Sequence, residues 1–138
     1  MGLADVPRYE LALALLLTGL IWTIQLAHYP LFAFLDPARF KEAMAFHQNA
    51  ITPLVAPLMV AELGLALIRA YHERTPVAFA GLLLVLVIWG QTFFIQVPLH
   101  QRLLTETDPA ATLRALVASN WGRTLTWTLR SGWLFFLK

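Results

Sequence analysis

Four apolar stretches dominate this sequence and constrain its fold more than any other feature. They cover residues 11–30, 51–70, 78–98 and 118–137. A helix needs about 20 apolar residues to cross the hydrocarbon core of a bilayer, because it rises only about 1.5 Å per residue. With 59% hydrophobic and 13% charged residues, the chain lies far from the composition of soluble domains. We therefore predict an all-α fold, a single integral membrane domain over residues 1–138 with four transmembrane helices.

The connections between the apolar stretches are short, which predicts antiparallel neighbours in an up-down-up-down bundle. A capping side chain followed by proline marks three helix starts: Asp36-Pro37, Thr75-Pro76 and Asp108-Pro109. Helices two and four would then begin outside the membrane, over residues 38–49 and 110–119. We expect these two segments to be amphipathic lead-ins that lie at the membrane interface.

An even number of spans places both termini on the same side of the membrane. We expect that side to be cytoplasmic, because Arg69, His72 and Arg74 concentrate charge in the second connection. The chain has no cysteine, which excludes disulfides and thiol chemistry. Its net charge is +2, and its basic residues are scattered among acidic ones, so we predict no nucleic-acid partner.

Two charged residues, Glu62 and Arg130, fall deep inside the predicted spans. Glu62 lies 12 residues beyond Ala50 and Arg130 lies 12 residues beyond Ala118, so the two share one depth of about 18 Å. Ionisable groups in hydrocarbon are costly and usually face a partner inside the bundle. We predict that they form an ion pair, which has either a functional role or only the structural role of fixing helix register.

Polar side chains recur on one face of several predicted helices. The fourth helix carries them at spacings of three, four and three residues, at Asn120, Arg123, Trp127 and Arg130. The first and third helices carry further polar residues near the end opposite the termini: Gln25, His28, Gln96 and His100. These faces should point inward and form a polar pocket that opens on that side.

Three histidines, His28, His47 and His100, also lie at the end opposite the termini. Imidazoles from three helices could bind a metal ion such as zinc, copper or iron. A haem held between His28 and His100 is a further alternative. The simpler interpretation is that these histidines are interfacial and hydrogen-bond to loop carbonyls and glutamines. The cofactor therefore stays open: none, a histidine-ligated metal or, less expected, haem.

Two short segments of the second half carry a family resemblance. Residues 97–103 read VPLHQRL and residues 120–125 read NWGRTL. The pair resembles the signature of the anthrone-oxygenase-like family of small four-helix membrane proteins, although His100 stands where that family has asparagine. The resemblance implies an oxygenase or oxidoreductase of hydrophobic aromatic substrates, and it implies site roles for Arg102, Asn120 and Arg123.

The leading hypothesis is a membrane enzyme that admits a flat lipophilic, aromatic or quinone-like molecule. His28 or His100 would accept a proton, and Arg123 would act with them in catalysis. Trp127 would stack on the ring, and the remaining polar residues would line or floor the pocket: Gln25, Gln96, Asn120, Arg102, Glu62 and Arg130. The alternative is a non-enzymatic binding or transport component, which would work as an oligomer or within a larger complex.

Overall fold

The computed structural model describes residues 2–136, and these form four long helical stretches. The stretches are Val6–Phe34, Phe40–Glu73, Pro76–Thr105 and Ala110–Phe136. No strand occurs within residues 2–136, so the predicted all-helical fold is confirmed. The predicted fourth span ended at residue 137, which lies outside the described residues.

Two of the stretches are not regular α-helices along their whole length. The first contains α1 (Val6–Thr23), a π-helical turn (Ile24–His28) and a short α2 (Tyr29–Leu31). The third contains α4 (Pro76–Gln91), a second π-helical turn (Thr92–Gln96) and α5 (Val97–Thr105).

Each π turn is followed closely by a proline, Pro30 or Pro98. Proline lacks an N–H and its ring clashes with the carbonyl four residues earlier. A widened turn accommodates that carbonyl without ending the helix.

The second stretch is one helix, α3 (Phe40–Glu73), which continues through Pro53 and Pro57. Its predicted start at Asp36-Pro37 is wrong, because the Asp36 carboxylate accepts a bond from the Ala38 N–H (2.9 Å) in a turn that precedes the helix. The last helix, α6 (Ala110–Phe136), begins one residue after Pro109, and the Asp108 carboxylate accepts from the Ala110 N–H (3.1 Å).

Three of the four stretches are long and apolar enough to cross a membrane, with mean hydropathies of 1.8, 2.0 and 2.1. They support the prediction of a membrane protein. The predicted fourth span, in α6, does not belong to this set. The physical reason is that α6 alone carries half of the buried polar side chains of the described residues: Thr112, Asn120, Arg123, Thr124, Arg130 and Ser131.

The packing buries the charged side chains together with an apolar core, and it leaves large apolar side chains on the outer surface. Helix α6 packs against α1 and α4, and α3 packs against the same two helices. Between them lies a core of aliphatic, methionine and aromatic side chains: Leu17, Ile21, Met44, Met59, Ile88, Leu103, Leu116 and Trp127. The outer surface carries large exposed apolar side chains such as Leu26, Phe94 and Leu129. This is the distribution that a bilayer favours over water.

The start of α4 follows the sequence prediction and generates a stability test. The Thr75 hydroxyl accepts a bond from the Ala78 N–H (3.2 Å), and Pro76 opens the helix. We expect Thr75→Ala to lower the free energy of unfolding by about 1 kcal/mol, because one N–H of the first turn loses its acceptor. Thr75→Ser keeps the acceptor and should stay near wild type. Unfolding in mixed micelles measures both, and equal losses in the two variants would contradict the capping role.

Candidate functional site

A cluster of four buried charged residues joins the helices. We call it the ion cluster: Glu10, Glu62, Arg69 and Arg130. The Arg130 guanidinium donates to the Glu62 carboxylate through Nε (2.8 Å) and to the Glu10 carboxylate through Nη2 (3.0 Å). Arg69 donates through Nη1 to the other oxygen of Glu10 (3.3 Å). The predicted Glu62–Arg130 ion pair is therefore confirmed, within a larger network.

The ion cluster is neutral as a unit, with two carboxylates and two guanidinium groups. The Nη1 of Arg130 donates to the Gly81 carbonyl oxygen (2.7 Å), and Arg69 also donates to the half-exposed Glu73 (3.0 Å). A Cβ at position 81 would lie 3.3 Å from Arg130 Nη1, a tight contact, so glycine leaves room for this arginine against the α4 backbone. The network thus ties α1, α3, α4 and α6 together.

Trp127 connects the ion cluster to a cavity. Its indole Nε1 donates to the second oxygen of Glu62 (3.1 Å), and its ring lines the cavity. The cavity has a volume of about 350 Å³ and walls made mainly of aliphatic and aromatic side chains. Nine polar or titratable side chains also line it: Tyr29, His47, Gln48, Thr52, Thr92, Gln96, His100, Gln101 and Arg123. Trp127 forms the floor, with Glu62 and Arg130 behind it.

Arg123 brings a positive charge to the cavity wall. It donates to the Asn120 amide oxygen through Nε (3.0 Å) and Nη2 (2.6 Å), and to the Thr92 hydroxyl through Nη1 (3.4 Å). Asn120 is held in turn by a bond from its Nδ2 to Gln25 Oε1 (2.8 Å). Among the described residues no carboxylate lies within ion-pair distance of Arg123, which is 8% exposed. All its partners are neutral.

His100 lines the same cavity as Arg123 and has a defined tautomer. Its Nδ1 lies 2.8 Å from the Gln96 carbonyl oxygen, which can only accept, so Nδ1 carries the proton. In the neutral ring Nε2 is then an acceptor, and it lies 3.3 Å from the Tyr29 hydroxyl. The Gln48 amide donates to the His100 carbonyl oxygen (3.1 Å), which links α3 to α5.

The three predicted histidines come together. His28 Nε2 and His47 Nδ1 are 2.8 Å apart, and the His47 and His100 rings stack with centroids 5.8 Å apart. His47 and His100 line the cavity, whereas His28 lies behind His47. Within residues 2–136, however, no group of three histidine, aspartate or glutamate side chains is arranged to hold a metal ion.

The residues present do not fit a haem held between His28 and His100, because His28 does not line the cavity and its Nε2 lies 2.8 Å from His47 Nδ1. Of the three histidines, His100 bonds to a backbone carbonyl oxygen, that of Gln96, whereas His28 and His47 bond to each other.

The other residues predicted from the sequence divide into two groups. Gln96, Trp127 and Arg123 line the cavity, whereas Gln25, Asn120, Glu62 and Arg130 lie behind its wall and hold lining residues in place. Several lining residues were not predicted: Tyr29, Gln48, Thr92 and Trp89. Gln48 and Thr92 follow no helical polar stripe, and Tyr29 reads in sequence as an interfacial aromatic residue.

Arg102, which the resemblance implied as a site residue, lies away from the cavity. Its exposed guanidinium pairs with Glu106 (2.8 Å) at the end of α5. The Thr112 hydroxyl, together with Arg102, holds the pKa of the Glu106 carboxyl below its usual range. This pair stabilises the connection to α6 and does not contribute to the site.

No protein-family model, no curated protein and no solved structure matches the chain. The resemblance to the anthrone-oxygenase-like family therefore depends on residues 97–103 and 120–125 alone.

The ion cluster generates a stability prediction. Arg130→Met removes the guanidinium that faces Glu62 and Glu10, so we expect a loss of about 3–5 kcal/mol in the free energy of unfolding. Adding Glu62→Leu removes the carboxylate that has lost its partner, and should recover at least about 1 kcal/mol. Arg39→Met breaks the exposed pair with Glu42 and should cost at most about 1 kcal/mol. Unfolding curves in detergent measure all three, and a double variant less stable than Arg130→Met would contradict the pairing.

Proposed function

We propose that this membrane protein binds a lipophilic molecule whose ring carries an anionic or strongly polarised oxygen. In this proposal the four helical stretches form an up-down-up-down bundle across the bilayer. The first turns of α3 and α6 lie at the interface, and both termini lie on the cytoplasmic side. The cavity opens within the half of the bundle opposite the termini.

The observation that carries the proposal is the Arg123 guanidinium, a buried charge at a cavity wall with only neutral partners. Burying a charge is costly unless it is paired. The contrast with Arg130, which faces two carboxylates, is direct because both arginines lie on one face of α6. An oxyanion in the cavity would balance the charge of Arg123 and accept charge-assisted hydrogen bonds from it.

The rest of the cavity supports a ring-shaped ligand. Its walls are largely apolar, and its volume of about 350 Å³ is in the range of small-molecule sites. The Trp127 ring forms the floor and Trp89 lines a wall, so both can contact an aromatic ring. His100 Nε2 and the Tyr29 hydroxyl add a proton acceptor and a donor beside Arg123.

The binding test uses 2-hydroxy-1,4-naphthoquinone, a vinylogous acid that is an anion at neutral pH, and 1,4-naphthoquinone as its uncharged counterpart. We expect quenching of the tryptophan fluorescence by the anion and a 10- to 100-fold weaker affinity, roughly, in Arg123→Gln, because charge-assisted bonds are lost. Arg123→Lys keeps the charge, so its affinity should lie between those of the wild type and Arg123→Gln. Arg102→Gln alters an exposed arginine outside the cavity and is the matched control. Equal affinity in Arg123→Gln and Arg102→Gln would refute the proposal.

The resemblance to the anthrone-oxygenase-like family extends the proposal to catalysis. In this version His100 Nε2 accepts a proton from the ring carbon of an anthrone, and Arg123 holds the resulting enolate oxygen. The enolate then reacts with molecular oxygen, and anthrone plus O₂ gives anthraquinone plus water. Asn120 and Gln25 act as positioning residues, since they orient Arg123 without lining the cavity.

Oxygen uptake with an anthrone tests this extension. We expect His100→Gln, which keeps a polar side chain but loses the base, to lower kcat by about 100-fold or more, with a small change in KM. His72→Gln alters an exposed histidine in the last turn of α3, which does not line the cavity, and is the control. Consumption of anthrone at the uncatalysed rate by the wild-type protein would exclude the oxygenase activity, although binding could still be retained.

The open side of the cavity favours a second function, binding or transport of the same molecule without turnover. Four helices are few for a monomeric carrier, so this version requires a stable oligomer. A measurement of the protein's molecular mass in detergent distinguishes the carrier from the enzyme. An oligomer that binds the hydroxynaphthoquinone and consumes no oxygen would favour the carrier, whereas a monomer would favour the enzyme.

A further inference from the structure

The exposed residues that line the cavity all lie on one side of the bundle. Thr52 and Ala56 of α3 and three residues of the third stretch, Phe93, Val97 and Gln101, are exposed. The lining residues from α1 and α6 are buried or half-buried, including Leu17, Ile21, Arg123 and Trp127. The opening therefore lies between α3 and the segment from the second π turn to α5.

The opening faces the part of the surface that a bilayer would cover. Its edges belong to two stretches that are long and apolar enough to span a membrane, Phe40–Glu73 and Pro76–Thr105. Phe93 is 55% exposed and the adjacent Phe94 is 84% exposed. Large aromatic and aliphatic side chains with this much exposed area are stable in contact with acyl chains and unfavourable in contact with water.

We infer that this gap is a lateral portal, through which the ligand enters from the hydrocarbon and through which an apolar tail of the bound ligand projects. The inference rests on the proposed function and specifies its ligand as a tailed amphiphile, with a ring that carries an oxyanion and an alkyl or isoprenoid chain. Charge and shape fix its orientation. The oxyanion meets Arg123 on the far wall, and the tail leaves between Ala56 and Val97.

The absence of cysteine makes a reversible block of the portal possible. Ala56→Cys places one thiol at the edge, and a benzyl methanethiosulfonate attaches a bulky group to it by disulfide exchange. Leu54→Cys is the matched control, because it lies at nearly the same depth of α3, is 54% exposed and does not line the cavity. The probe is a hydroxynaphthoquinone with a decyl tail, added to protein in lipid nanodiscs.

We expect modification of Ala56→Cys to weaken probe binding by at least about tenfold, to slow its entry, and to be reversed by a reductant. Modified Leu54→Cys should bind like the unmodified protein. Unchanged binding by modified Ala56→Cys would overturn the portal alone. If the unmodified protein binds neither the tailed nor the tail-free quinone, the proposed function fails, and the portal fails with it.

The position of the tail gives an independent readout on the wild-type chain. A photoreactive diazirine near the ring end of the decyl tail should label peptides that contain residues 52–56 and 93–101. Labelling concentrated in α1 or α6 would place the exit elsewhere and overturn the inference.

Discussion

The ion pairs of Arg130 are the interaction on which the rest of the fold depends. This side chain is fully buried, yet it reaches a carboxylate on α1, a carboxylate on α3 and a backbone oxygen on α4. Breaking a buried pair is far more costly than never forming one, so every helix arrangement that separates these groups is strongly disfavoured. In lipid, where hydrophobicity does not discriminate between helix neighbours, such contacts fix which faces meet. The cavity adjoins this cluster through Trp127, whose indole donates to Glu62 and whose ring lines the cavity.

The two inward-facing arginines of α6 have different roles. Arg130 has its charge balanced within the protein, and its neighbourhood is complete. Arg123 lies two turns away, is oriented by Asn120 and Thr92, and has its charge balanced by no carboxylate among residues 2–136. A guanidinium held rigidly by neutral acceptors is preorganised for an anion that arrives from outside. Arg130 and Arg123 differ in how their charges are balanced. This difference, more than any sequence motif, distinguishes the structural ion cluster from the proposed binding site.

Much of this arrangement could be predicted from the sequence, and the misses have physical causes. Counting along the chain brought Glu62 and Arg130 to one depth, because a helical rise is constant whatever the tertiary packing. Glu10 was missed because it lies one residue before the first apolar stretch, and Arg69 because it was assigned to a connection. Both are drawn inward by partners on other helices, which no single-helix pattern reveals. Likewise Arg102 matched a family motif, but its nearest acid, Glu106, is one turn away and holds it at the surface.

The two π turns explain why Tyr29 could not be assigned to the cavity from a regular helical period. Each π turn adds a residue to one turn and so rotates everything after it by about 100° relative to a continuous α-helix. Tyr29 and His100 both follow a π turn, and their side chains meet at 3.3 Å. In uninterrupted helices both would point in other directions, and the acceptor Nε2 of His100 would not stand beside Arg123. The prolines that follow the π turns, Pro30 and Pro98, are therefore part of the site's geometry, although neither lines the cavity.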